Sequence, residues 1–423
     1  MARNPEHGSV FAPQDPRFVT LSSQQFAPRA AAIILASTIV FLVLTAFLYD
    51  LWPPAAACSV LFATCLWLLT SCARGTLPFV FSYTLPFLVF LPLWGVVQLL
   101  TARTVFEFGT LSSVILLSGA VACYWIGCEA FQFPKVLHGF RQFLIVFGVL
   151  MSLVAIAQML TTHQRIFWLI ETHNVDKPMA SFLNRDRYSA FIELLLPLAL
   201  VEVFRGHERW ALYAVGAGVM FASVVGGGSR AGLILVVLEI VVVLATAIYR
   251  DGFTATTMRP AAVILALAAV LATAAGWRFV LQQFAQSDPF RYRREFLISS
   301  LAMFRARPWM GFGLGSWPSV YPRFAIIDPG RFVNHAHDDW AEWACDGGIP
   351  FLLAWLAIAG RTAARALRSP EALGVTIVFL HSVVDFNFYN YPIVILVAVL
   401  IAAAERSSSD QSAEPSRPLR RRT

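Results

Sequence analysis

Residues 30–49 read AAAIILASTIVFLVLTAFLY, twenty positions without a charge. As a helix, such a run is roughly 30 Å long, the thickness of a bilayer's hydrocarbon core. A surface helix of a soluble protein would carry a polar face, and this run has none. Comparable runs recur near 52–72, 77–100, 110–128, 142–161, 188–204, 210–227, 231–249, 260–276, 349–367, 372–387 and 390–404. The chain therefore reads as an all-α polytopic membrane protein with about a dozen transmembrane helices. The expected organisation is a tail over 1–29, spans over 30–276, an external loop over 277–348, further spans over 349–404 and a basic tail over 405–423.

Composition agrees with this reading. Of 423 residues, 58% are apolar and 13% charged, where soluble domains carry about a quarter charged; mean hydropathy is +0.66. The net charge of +7 is mostly a matter of topology. Lys135 and Arg141, Arg205 and Arg209, Arg250 and Arg259, and Arg361, Arg365 and Arg368 fall on one side of the spans. They are joined by Arg406, Arg417, Arg420, Arg421 and Arg422 of the tail. Positive loops stay in the cytoplasm, so both termini are expected there and the loop 277–348 in the periplasm of a bacterial inner membrane. The N-terminal tail is polar, has no short apolar core with a cleavage site, and does not read as a removable signal peptide. Nucleic acid is not an expected partner. Cys58, Cys65 and Cys72, seven residues apart, together with Cys123 and Cys128, read as small helix-packing residues.

Two external segments, about 162–187 and 277–348, are too long to be simple connectors. The second contains Trp309, Phe312, Trp317, Tyr321, Phe324, Trp340 and Trp343, so it is expected to fold on the membrane surface. Its stretch Arg294–Arg307 suits an amphipathic interfacial helix. Gly311, Gly313 and Gly315 should form a tight turn, and without a preceding strand they are weak evidence for a phosphate loop. In NHAHDDWAEWACDGGIP (334–350), Asn334 or Asp338 could cap a short helix that Gly347, Gly348 and Pro350 would stop. The spacings His335–Asp339 and Asp338–Glu342 suggest shared helical faces.

Polar groups within or beside the spans are candidate site residues, because ionisable groups at membrane depth are costly. They are Arg185 and Arg187, Arg230 after a glycine-rich turn, the pair His381 and Asp385 at helical spacing, and Glu193 and Glu239. Each has a plainer reading. The arginines could anchor to lipid headgroups, His381 with Asp385 could form a structural hydrogen bond, and the two glutamates could be structural. Guanidinium forks beside accessible amides are nevertheless what a buried diphosphate requires. His335 and His337 lack a convincingly spaced third ligand, so no metal is expected.

Five segments then resemble, in order, those of O-antigen ligases and polymerases. They are SFLNRDRYSAFIELLLPLAL (181–200), GGGSRAG (226–232), RPWMGFGLGSW (307–317), NHAHDDWAEWACDGGIP (334–350) and HSVVDFNF (381–388). The resemblance covers roughly residues 180–390. It implies a metal-independent glycosyltransferase without a cofactor that moves a glycan from an undecaprenyl-diphosphate carrier to a periplasmic acceptor, either lipid A–core or another lipid-linked glycan. It further implies that Arg230 and Arg185 or Arg187 hold the diphosphate and that His337 acts near the acceptor, as the base or with the phosphates. His335 and Asp338 are expected to contact substrate, with His381, Asp385 and Glu342 in support. Two positions depart from the family pattern, because Asp338 and Asp186 stand where relatives have Asn. A polysaccharide flippase or a non-catalytic assembly partner is the alternative. A transporter should show repeated halves, and no internal repeat is evident.

Overall fold

The computed structural model describes residues 26–162, 164–172, 178–206, 208–274, 291–327, 330 and 332–413. The expected tail through residue 25, the end of the ninth expected span at 275–276, residues 277–290 of the expected external loop, and the arginines from Arg417 onward lie outside the described residues.

Each of the twelve apolar runs contains a helix. The helices are α1 (Phe26–Leu44), α2 (Trp52–Ala73), α3 (Leu85–Leu100), α4 (Glu107–Ala130), α5 (Pro134–Thr161), α6 (Arg185–Val203), α7 (Trp210–Gly227), α8 (Arg230–Asp251), α9 (Ala255–Ala274), α10 (Arg291–Ala306), α11 (Trp317–Val320), α12 (Asp339–Ala363), α13 (Pro370–His381) and α14 (Tyr391–Ala413). A two-stranded antiparallel hairpin, Arg165–Ile166 with Ile170–Glu171, follows α5. Among the described residues, α1, α2, α4, α5, α7, α8 and α12 are long and apolar enough to cross a membrane. Shorter apolar helices, among them Leu85–Leu100 and Pro370–His381, stand beside them.

Two helices organise the packing. Helix α4 touches α1, α2, α3 and α14, while α6 touches α5, α7, α8, α13 and α14. Every residue of α6 from Tyr188 to Leu200 is buried, Ser189 and Glu193 included, as expected of a helix whose apolar residues surround it on all sides. Cys58 meets α4 through a contact of its thiol with the Ile115 carbonyl at 3.3 Å, in keeping with a packing role.

Helix α12 differs from its expected form. The short helix does not stop at Gly348; it bends there and continues into the membrane span. Gly348 has φ +70° and ψ −169°, and Pro350 has no amide hydrogen to give the carbonyl of Asp346. The carbonyls of Cys345 and Asp346 are thereby released from the helix, and the glycine segment takes them. Phe312 N donates to Cys345 O at 3.0 Å and Gly313 N to Asp346 O at 3.0 Å, while Ile349 N turns to Pro308 O at 2.8 Å. Gln98 of α3 locks the junction, donating to Met310 O at 2.7 Å and to Asp346 O at 2.8 Å. Gly311, Gly313 and Gly315 all have positive φ, as the tight turn requires. Two of the amides that a phosphate loop would need are thus spent on helix carbonyls, and the Gly315 amide is spent on the Asp346 carboxylate at 2.8 Å.

A methyl group at Gly348 would lie 2.4 Å from the Trp309 carbonyl oxygen, on a backbone that favours glycine. Gly348→Ala is therefore expected to lower stability by about 1–3 kcal/mol or more, measured by thermal unfolding in detergent. Gly139→Ala, where nothing lies within 4 Å, should not lower it. Equal behaviour of the two variants would remove the structural role given to the bend.

Candidate functional site

The site is built where helices begin. Asn184 caps α6, its side-chain oxygen accepting from Asp186 N at 2.6 Å and Arg187 N at 3.4 Å. Arg185, Asp186 and Arg187 consequently form the first turn. Helix α7 ends at Gly228 in the left-handed conformation, φ +72°, and Ser229 caps α8 by accepting from Gly232 N at 3.0 Å. The Ser229 hydroxyl also donates to the Asp186 carboxylate, which ties the two helix starts together. Gly232 permits the approach, since a Cβ there would lie 2.5 Å from that of Ser189. Arg230 lies within electrostatic reach of Arg185, of Arg293 of α10 and of Asp186.

The histidine segment is held against this pair of helix starts. Helix α12 begins at Asp339, with Asp338 as its cap accepting from Ala341 N at 3.0 Å. Glu342 reaches back to accept from Ala336 N and contacts His335 Nδ1 at 3.2 Å. His335 and Asp339 therefore share no helical face: His335 precedes the helix and its partner is Glu342. His337 sits at φ +56°, which is unusual for a side chain with a Cβ and is upheld by its neighbours. Its Nδ1 lies 3.3 Å from Asp385 Oδ1. Asp339 binds the segment after α13, donating its amide to Ser382 O at 2.9 Å and accepting from Asn387 N at 2.8 Å.

His381 and Asp385 do not share a helix, because α13 ends at His381. The His381 Nδ1 instead faces Glu193 at 2.9 Å. Together with Asp186, however, they offer three ligand atoms within 4.8 Å of one another. Among the described residues this trio, and not His335 with His337, could hold a metal ion. His381 Nε2 and Asp385 Oδ2 are buried without a hydrogen-bond partner, while Glu193, His337 and Ser229 orient the three side chains from behind.

Phe386 lies at the centre. Arg187 places its guanidinium 4.5 Å from the ring centroid, His335 stacks on the ring at 4.1 Å, and His337 meets it edge to face at 4.8 Å. Phe296 of α10 stacks on His337 at 6.2 Å. The structure therefore gathers Arg185, Arg187, Arg230, His335, His337, Glu342, His381 and Asp385 where α6, α8, α12 and α13 begin or end, with Asp338 as a cap at its edge. Sequence reasoning missed Phe386 and Arg293. The first was visible as a letter of the HSVVDFNF motif, and the second only as one arginine of an amphipathic helix. Glu193 carried the general signal of a buried ionisable residue, without its partner.

Residues 215–356 match the family model described as O-Antigen ligase. The match covers about a third of the chain and shows a similarity to that family over this region. The match supports the resemblance to O-antigen ligases and polymerases, and a membrane enzyme of that type. The matched region takes in Arg230, His335, His337, Asp338 and Glu342. Arg185, Arg187, His381 and Asp385 are supplied from beyond the matched residues. The comparison with curated proteins found no match.

Burial, with Arg187 and His337 beside it, holds the His335 imidazole well below its ordinary value. Burial pushes the Asp338 carboxyl up, against the amides of Ala341 and Trp340 that favour its charge. The two have opposite signs in stability. An unfolded chain protonates His335 near about pH 6.5 while the folded chain resists, so stability falls as pH drops through that value. Asp338 takes its proton earlier when folded and gains stability towards acid. Comparing the chain with its His335→Gln variant isolates the first effect. Between about pH 7 and 5 the unsubstituted protein should lose more thermal stability than the variant, and a parallel decline would contradict a neutral buried His335.

Proposed function

We propose that the protein is a glycosyltransferase moving a glycan from a polyprenyl diphosphate, of the undecaprenyl type, to a hydroxyl of a glycan or lipid A–core acceptor on the periplasmic face of the inner membrane. The observation that carries this reading is the meeting of Arg185, Arg187 and Arg230 with a carboxylate-held His337. A carboxylate can only accept, so a hydrogen of His337 lies on Nδ1 towards Asp385, and in the neutral imidazole Nε2 keeps its lone pair. As the acceptor oxygen bonds to the anomeric carbon, Nε2 takes its proton. The bond from that carbon to the phosphate oxygen breaks, and the diphosphate keeps the electron pair. Arginines that strengthen their contacts as this charge develops lower the barrier. Attack opposite the leaving group inverts the anomeric centre.

On this reading, His337→Ala lowers turnover by about 10²–10⁴-fold without weakening donor binding. Asp385→Asn, which favours the wrong tautomer, should cost a comparable factor. Asp338→Asn keeps a capping side chain and should be tolerated. Single-turnover kinetics with a lipid-diphosphate glycan separate the cases. Weakened donor binding in His337→Ala would move that residue to the phosphates, and loss of turnover only in Asp338→Asn would make the aspartate the base.

Arg230→Lys should lose most activity, because a point charge does not reproduce a bidentate fork; Arg230→Ala is expected to cost on the order of 2–4 kcal/mol in the transition state. Three arginines can do the work of a metal, so dialysis against EDTA should leave turnover unchanged. Loss of activity on chelation, restored by a divalent cation, would instead place a metal on Asp186, His381 and Asp385.

A further inference from the structure

At the far ends of the helices that carry the candidate site lies a second feature. The last turns of α6 and α8 and the first turn of α13 enclose a cavity of about 120 Å³. A water needs roughly 10–15 Å³ on that measure, so the space admits a group much larger than one water. Val201, Val242, Val243, Ala247 and Leu373 form an apolar wall with Thr246 among them, and the mouth carries Arg205, Arg250 and Arg368. Two of these arginines have carboxylate neighbours, Arg205 with Glu202 and Arg250 with Asp251. Glu202 engages Nη1 of Arg205, and Asp251 engages Nε and Nη2 of Arg250. Further donors of both forks are therefore not used in these pairs. Arg368 is exposed, and three guanidiniums face two acids, which leaves the mouth positive.

We propose that this cavity is a binding site for an anionic glycerophospholipid, with the phosphate among the three arginines and an acyl chain against the apolar wall. Charge complementarity selects an anion. The apolar wall selects a lipid over free phosphate, which has nothing to place there. The location fits as well, because α8 is apolar enough to cross a membrane and Arg250 lies in its last turn, where a headgroup phosphate would sit. Arg205, Arg250 and Arg368 all belong to the set whose loops are expected to be cytoplasmic. This lipid would therefore come from the leaflet opposite the proposed active site. It would brace the helices whose other ends carry Arg185, Arg187, Arg230 and His381.

The test uses the full-length protein purified in detergent. Phosphatidylglycerol, phosphatidylcholine of the same acyl chains, and inorganic phosphate are compared by thermal unfolding and by native mass spectrometry. Phosphatidylglycerol alone should raise the unfolding temperature and remain bound. Arg368→Gln, an exposed change that should not disturb folding, should weaken its retention by about fivefold, and Arg205→Gln/Arg250→Gln/Arg368→Gln should abolish it. Thr246→Phe should also abolish retention by filling the apolar part while leaving all three arginines in place. Equal stabilisation by phosphatidylcholine, a matching effect of inorganic phosphate, or unchanged retention in both Arg368→Gln and Thr246→Phe would overturn the proposal.

Discussion

A helix broken inside a protein releases carbonyls that must find other partners once they are buried. In this protein that constraint falls on Cys345 and Asp346, next to the bend of α12. The glycine segment 311–315 answers it with its own amides. The segment before α12 is thereby fastened to that helix by backbone hydrogen bonds, which are indifferent to most side-chain changes. The bend also sets the direction of the first turns of α12, and with it the position of Asp338, Asp339 and the histidines before them. Glycines that look like a ligand loop are in this case part of the frame.

The second constraint is charge. Arg185, Arg230 and Arg293 crowd together, and buried or half-buried cations need counter-charges. Asp186 and Asp385 provide them among the arginines, with the His381–Glu193 pair beneath. In the proposed reaction, the leaving diphosphate would join these carboxylates as a counter-charge to the arginines. The same carboxylates are the ligands a cation would use, so the trio Asp186, His381 and Asp385 is where an arginine-based and a metal-based chemistry differ.

The bilayer makes the helices legible in sequence, because a run of twenty uncharged residues has few other fates. The ends are less legible. His381 and Asp385 look like helical neighbours, since nothing in SVVD stops a helix. Helix α13 nevertheless ends at His381, where the carbonyls of Ser382 and Asp385 accept from Asp339 N, a residue far away in sequence. His335 and Asp339 look like neighbours too, until the cap at Asp338 places them on either side of a helix start. The pairing of Glu193 with His381 spans 188 positions and has no local signature. The candidate arginines and histidines could be named from motifs, whereas their partners are a property of packing.

One ring, Phe386, is touched by Arg187, proposed for the donor side, and by His335 and His337, proposed for the acceptor side. It behaves as a shared bearing. On the proposed reading, a phosphate that drew Arg187 towards it would change the surface on which both imidazoles rest. Occupancy at one side would then be felt at the other, and by reciprocity the effect would run equally in both directions. Such a contact would let a single aromatic side chain couple two bulky substrates while touching neither of them.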